Sequence, residues 1–293
     1  MRRAVQSPPD GRLVDLTGAD ATALREVLAL VDREPVANTV VAARIAASRL
    51  ERWKLGGELW GYERDGRLEG LCYAGANLVP ICAGPDAVRA FAERARRRGR
   101  RCTSIVGPHA PTAELWNRLE DAWGPAREVR APQPLMVAAA SGPRPGIAPD
   151  PAVRLVRADE LDALMPAAVA MFTEEVGVSP TAGPDGGRLF RSRVGELVAL
   201  GRAFARIEDG RVVFKAEVNA VTERVCQVQG VWVAPDRRGR GIAAPAMAAV
   251  VELARARLAP TVSLYVNEYN APARAAYRSA GFREVGAMMT VLF

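Results

Sequence analysis

Lysine and histidine are nearly missing from this 293-residue chain: Lys54 and Lys215 are the only lysines and His109 is the only histidine. The four cysteines, Cys72, Cys82, Cys102 and Cys226, are scattered, and no Cys-x-x-Cys pair occurs. A structural zinc site needs clustered ligands, so no metal is expected, and the cysteines read as reduced core residues. No run of 18 apolar residues occurs, which excludes a membrane-spanning helix of the usual length. The opening stretch, MRRAVQSPPDGR, has two arginines but no apolar run after them. The expectation is a chain without a secretory leader, placed in the cytoplasm.

What is present is apolar bulk and arginine. Hydrophobic residues make up 49% of the chain, enough to bury a sizeable core, and the length suits two domains. Forty Lys+Arg against 33 Asp+Glu give a net charge of +7. A positive balance favours polyanionic partners: a phosphorylated cofactor, a nucleic acid or an anionic surface.

The stretch SGPRPGIAPD (Ser141–Asp150) is rich in Pro and Gly and has no periodicity. It reads as a linker. The expected division is 1–140, a linker at 141–151, and 152–293. The halves repeat weakly. RLVDLTGADATAL (Arg12–Leu24) matches RLVRADELDAL (Arg154–Leu164), each a short strand, a capping residue and a helix. Each half then carries an Asp-Gly between apolar runs, in Glu58–Ala76 and Ala203–Val221, a strong hairpin signal. A helix, a strand (Cys102–Pro108 and Thr261–Asn267), a short helix and a last β segment (PLMVAA and AMMTVLF) follow in both. The order predicts a duplicated α/β unit, β-α-α-β-β-(β)-α-β-α-β, in each half.

The halves differ at VWVAPDRRGRGIAAP (Val231–Pro245). Apolar strand residues run into a Pro-Asp turn, then arginines and glycines, then a helix. The first N–H groups of a helix have no intrahelical partner, and the helix dipole adds about half a positive charge there. Gly239 and Gly241 let an oxyanion approach the backbone. Arg237, Arg238 and Arg240 add charge, and arginine forks suit phosphate. The residues therefore predict a bound pyrophosphate. A Walker A loop would end Gly-Lys-Ser/Thr, whereas Ile242 follows Gly241 here. A Rossmann fingerprint needs a third glycine where Ala244 stands. The N-terminal half has only CAGPDAVRAF (Cys82–Phe91) at the equivalent place, with His109 opposite Asn270 and Trp116 opposite Tyr277. It is read as a copy without the site.

RGRGIA, with Arg238, Gly241 and Ala243, resembles motif A of the GNAT superfamily of N-acetyltransferases, Arg/Gln-x-x-Gly-x-Gly/Ala. Downstream, NEYNAPARAAYRSAGFREVG resembles the family's Asn-x-x-Ala-x-x-x-Tyr followed by Gly-Phe, with Asn270, Ala273, Tyr277, Gly281 and Phe282 in place. Asn270 and Tyr277 are seven residues apart, nearly two helical turns, and share a face. The resemblance covers about Arg154–Phe293. A degenerate GNAT-like copy before an intact one resembles arrangements in actinobacterial proteins. The implied fold is tandem GNAT-like domains, each a mixed, mostly antiparallel α+β sheet flanked by helices, with a splayed central strand pair. The implied cosubstrate is acetyl-CoA, held between the splayed strands. Val231 and Val233 would meet the pantetheine arm and thioester; Arg238, Gly239, Arg240, Gly241, Ile242 and Ala243 would hold the pyrophosphate; Asn267 and Asn270 would meet the pantetheine. Gly230 marks a candidate bulge that opens the splay.

The implied activity is transfer of acetyl to a primary amine by direct attack in a ternary complex. Tyr277, a phenol with an ordinary pKa near 10, suits protonation of the leaving thiolate. A strand N–H at Val231 or Val233 suits the oxyanion. The general base stays open between Glu217 on the second hairpin strand and Glu174 or Glu175 in MFTEEVG. Those acidic residues suggest a cationic acceptor, small molecule or protein amine. The run ERARRRGRR (Glu93–Arg101) offers a nucleic-acid reading, but it lacks interleaved aromatics and reads better as a solvated helix end. A non-catalytic acyl-CoA sensor is the other alternative. The N-terminal copy is expected to shape the acceptor cleft or a homodimer.

Overall fold

The computed structural model describes residues 11–293. The leader reading rests mainly on the first ten residues, which lie outside the described residues. The described residues form two compact units: those up to Pro134 together with Gly286–Phe293, and Leu135–Val285.

The first unit runs β1 (Arg12–Asp15), α1 (Ala21–Val31), α2 (Thr39–Ser48), α3 (Arg52–Leu55), β2 (Glu58–Arg64), β3 (Arg67–Ala74), β4 (Asn77–Ile81), α4 (Pro85–Arg98), β5 (Ser104–Pro108), α5 (His109–Trp123) and β6 (Glu128–Ala138), whose last residues leave it. α1 starts where it does because Asp20 caps it, accepting from the N–H groups of Thr22 and Ala23. β2 and β3 join through Asp65 and Gly66, with φ of +51° and +71° and Arg64 opposite Arg67. Two central residues at positive φ make the hairpin turn whose twist matches its strands, and Asp-Gly is among the few pairs that tolerate it. β1, β2, β3 and β4 pair antiparallel in that order, and β5 lies parallel beside β4. Phe91, Ile105 and Leu115 are fully buried between the sheet and its helices. The arginine run ends α4 with Arg96, Arg97 and Arg98 in the last turn. Two of its members are structural: Arg98 and Arg94 both pair with Glu58, and Arg94 stacks over Trp60 at 4.8 Å.

The second unit runs β7 (Arg154–Leu155), α6 (Leu161–Val176), α7 (Arg188–Ala199), β8 (Ala203–Glu208), β9 (Arg211–Val221), β10 (Val225–Val233), α8 (Ala243–Arg257), β11 (Thr261–Tyr265), α9 (Ala271–Ser279) and β12 (Phe282–Leu292), whose last residues belong to the first unit. The β8–β9 hairpin repeats the turn, with φ of +48° at Asp209 and +75° at Gly210. Apart from the one-turn α3, the element order of the two halves therefore matches as the repeat implied. β7, β8, β9 and β10 pair antiparallel; β11 is parallel to β10. α8 is nearly all apolar, and Ala246 through Val251 are buried, small enough to lie close on the sheet. No helix among the described residues is long and apolar enough to cross a membrane.

The compact units do not divide the chain where composition suggests a linker. Leu135–Val137 of β6 pair with Ser263–Tyr265 in the second unit, and Met288–Leu292 of β12 pair with Ser104–Pro108 in the first. Residues 141–150 have no helix or strand and belong to the second unit, where Arg144 donates its N–H to Ser279 O and Asp150 to Pro245 O, both at 3.0 Å.

All four cysteines are free thiols. Cys72 and Cys226 are fully buried, and burial pushes both thiols up, Cys226 to about 11. An unfolded thiol ionises near 8.5, so above that pH the unfolded chain gives up protons that the native chain keeps. Stability is expected to fall as pH rises from about 9 toward 11, read as a falling urea midpoint, a trend fixed in sign by the linkage. In the native protein a thiol reagent should label Cys82, the least buried, first; equal labelling of Cys72 and Cys226 would contradict this packing.

Candidate functional site

The site grows from the way β10 leaves β11. Only Val225–Gln227 pair with Thr261–Ser263; β10 then continues to Val233 and β11 to Tyr265 without further pairing. On its other side β10 carries a bulge. Gln229 faces Glu217 and Trp232 faces Lys215, so Gly230 and Val231 together oppose the single residue Ala216. Gly230 has φ of +58°, a region open chiefly to glycine, and a Cβ there would lie 2.9 Å from the Glu217 carboxyl carbon. The glycine singled out from sequence is thus the bulge residue.

Beyond Val233 the chain turns through Pro235–Arg237 and reaches α8. Gly239 and Gly241 have φ of +74° and +76°, and a Cβ on either would meet nothing within 4 Å. α8 has no side-chain cap, and its Pro245 lacks an N–H. Among the hydrogen bonds of the described residues, none uses the N–H groups of Gly239, Arg240, Gly241, Ile242 or Ala243. The loop is an open concavity of unpaired amide donors at the positive end of a helix, and Arg240 beside it is exposed with no acidic partner. This is the donor set a diphosphate needs. The Arg238 side chain is otherwise engaged. Its Nε donates to Val233 O at 3.0 Å, and its terminal nitrogen donates to both oxygens of Glu174 at 3.0 and 2.8 Å.

α9 supplies the other half of the motif. Asn270 caps it, accepting from Ala273 N–H at 3.2 Å. Asn267 is buried, and its side-chain amide donates to the Tyr269 hydroxyl at 2.8 Å. Tyr277 is 8% exposed and lies 6.0 Å from the Phe282 ring. Burial pushes its phenol up, and the carboxylate of Glu175 adds to the push by disfavouring a second negative charge. Tyr277 belongs to the apolar cluster against which Val231, Val233, Ile242 and Ala273 pack. Segments from three parts of the sequence are thereby packed against one apolar cluster.

Sequence reasoning missed who partners whom. Glu174, offered as a base, instead accepts from Arg238 and, at 3.1 Å, from Trp232 Nε1. Glu217 has both oxygens in use: Oε2 accepts from Lys215 Nζ and Oε1 from Gln229 Nε2, each at 3.1 Å. Burial pushes the Lys215 ammonium down, and the adjacent Glu217 carboxylate pulls it back up. The spacing of Lys215 and Glu217 was a usable signal, since residues two apart on a strand share a face.

The family model of the GNAT acetyltransferases matches residues 162–282. A domain of unknown function, DUF4081, matches residues 57–164. Among solved structures, a GNAT-family acetyltransferase from Colwellia psychrerythraea is 13% identical over 96% of this chain and 99% of its own, with a TM-score of 0.59. A tandem GNAT protein from the clavulanic acid biosynthesis pathway is 15% identical over 97% and 98%, with a TM-score of 0.56. A GCN5-related N-acetyltransferase from Sphaerobacter thermophilus is 17% identical over 89% and 92%, with a TM-score of 0.53. Identities this low show a common fold. No curated protein matches the chain. Residues 162–282 thus match the GNAT family model, and the first half is consistent with a degenerate GNAT-like domain in a tandem arrangement.

Replacing Asn270 by Ala removes the cap of α9 and is expected to lower stability by about 1 kcal/mol in urea denaturation. An unchanged midpoint would show that the side chain caps nothing.

Proposed function

We propose that the second unit transfers an acetyl group from acetyl-CoA to a primary amine by direct attack in a ternary complex. One observation carries this reading: unpaired amides from Gly239 to Ala243 stand ahead of α8, beyond the end of a strand that has parted from its parallel neighbour. A helix mouth alone would suit any anion. The parted strands beside it give an extended ligand a second place to lie, and the GNAT family match supports coenzyme A as that ligand.

The roles divide as follows. The amides of Gly239, Arg240, Gly241, Ile242 and Ala243 hold the diphosphate, with the Arg240 guanidinium beside them. The Arg238 N–H is bonded to Pro235 O, and its side chain reaches the diphosphate only on releasing Glu174. Val231 and Val233 present strand groups to the pantetheine arm, with Asn267 and Asn270 at the far wall. Acetyl-CoA, when bound, supplies the activated acyl carbon. Tyr277 keeps its proton at neutral pH because its anion would be buried beside Glu175, so it is available to a thiolate. A thiolate formed in the same surroundings is raised in basicity by the same desolvation, which favours that proton's transfer.

The attacking amine must be neutral. Glu217 takes up its proton only by giving up Lys215 or Gln229, whereas Glu175 lies near Tyr277 and competes for the role. Carboxylates at this end favour a cationic acceptor. The engaged state of Glu217 is what favours the binding-only reading; release of free thiol in the presence of a panel of amines separates the two.

Two variants test the assignment. Arg238→Ala with Arg240→Ala is expected to weaken coenzyme A binding by about 10-fold or more, since hydrogen bonds to charged groups contribute roughly 1.5–3 kcal/mol each. Calorimetry giving an unchanged affinity would show that neither guanidinium contributes to holding the diphosphate. Tyr277→Phe is expected to lower turnover by about 100-fold while coenzyme A affinity changes little. Wild-type turnover in that variant would strip Tyr277 of its role.

A further inference from the structure

In a chain that uses arginine for nearly every cation, Lys215 is an exception, and it is the deepest charge among the described residues, 1% exposed in the middle of β9. Its neighbours Phe214 and Ala216 are fully buried. Placing an ammonium there costs several kcal/mol of desolvation, and an apolar side chain of the same length would fill the space. The lysine is therefore poorly explained by packing. Its contacts are more informative. Nζ donates to Glu217 Oε2 at 3.1 Å and to the carbonyl oxygen of Gly230 at 2.9 Å. Gln229 secures the other oxygen of Glu217. A compact ammonium on a flexible stem can serve two acceptors in different directions, which a planar guanidinium does less well.

Gly230 is the bulge residue, so Lys215 bonds a peptide of β10 that the β9 ladder leaves out of register. That peptide is constrained at two points: Lys215 bonds its carbonyl oxygen, and the Glu217 side chain packs so close to Gly230 that a Cβ there would lie 2.9 Å from its carboxyl carbon. In a trans peptide the C=O and the following N–H point in opposite directions. Holding Gly230 C=O toward Lys215 therefore turns the Val231 N–H away from it.

We propose that Lys215 is a positioning residue for acyl transfer: by fixing the Gly230 carbonyl, it aims the Val231 N–H at the place where the thioester carbonyl oxygen gathers negative charge. Glu217 is then the counter-ion that keeps the lysine charged and orients it. This inference rests on the acetyltransferase reading above and assigns that reading's oxyanion donor to a held peptide.

The test is Lys215→Met, which keeps length and apolar bulk and removes the grip. Three quantities are read on the full chain: coenzyme A affinity by calorimetry, kcat and KM with an amine that the wild type accepts, and the infrared carbonyl stretch of bound acetyl-CoA carrying ¹³C at the acetyl carbonyl. In the wild type the stretch should move to lower frequency than in free acetyl-CoA. In the variant it should return toward the free value, kcat should fall by about 30-fold or more, as when an oxyanion donor is misplaced, and coenzyme A affinity should stay within about threefold. A variant that melts earlier and binds coenzyme A more weakly, yet keeps the wild-type carbonyl band and kcat per folded molecule, would make the lysine merely structural. Should Lys215→Met not fold, Gly230→Ala reads the same peptide, because its Cβ displaces Glu217 and strains the left-handed backbone; an unchanged band and kcat there would also overturn the proposal. If the wild type itself binds no coenzyme A, the acetyltransferase reading fails, a result distinct from failure of the lysine assignment.

Discussion

The candidate site depends on a strand pair that stops pairing early. β10 and β11 run parallel for three residue pairs and then separate, and backbone groups that would have bonded each other face a gap. Such groups are costly if buried without partners, so the gap is tolerated only where something else can satisfy them. The Gly230 bulge accentuates the local twist of β10 where it leaves β11, and no residue with a Cβ fits there without moving Glu217. In the proposed function, the glycine-rich loop, the uncapped start of α8 and the buried Tyr277 all take their roles from that separation.

Much of this was legible in the amino-acid order. The Asp-Gly hairpins announced themselves because a two-residue turn with both φ values positive admits few residue pairs, and both halves carry the same one. Asn270 and Tyr277 were readable because a helix start and a shared helical face are local properties. Gly230 stood out as a glycine inside a β-rich run. The Arg238–Glu174 and Lys215–Gly230 contacts were not readable. They join positions 64 and 15 residues apart, and nothing local to either partner specifies the other. The compact units were obscured for a similar reason: PLMVAA and AMMTVLF look like equivalent last strands, and sequence periodicity says nothing about which neighbour each will take.

The two halves show how little separates a frame from a site. Both have a parallel strand pair crossed over by a helix, β4–α4–β5 and β10–α8–β11. In the first, α4 begins at Pro85, four residues after β4 ends at Ile81; in the second, α8 begins at Ala243, ten residues after β10 ends at Val233. The extra length holds the glycines and arginines. A short connection leaves no room for a concavity of free amides, so the first copy keeps the architecture while offering no comparable loop. Its arginines are spent instead on Glu58 and Trp60.

The placement of Met288–Leu292 beside β5 bears on how the chain is made. Met289 and Val291 are part of the apolar core of the first unit. During synthesis, β5 emerges from the ribosome well before its outer neighbour has been translated. The earlier half must wait, with one strand edge and part of its core incomplete, until Met288–Leu292 have been translated. Contacts of such long sequence separation slow folding and leave edges open to wrong partners.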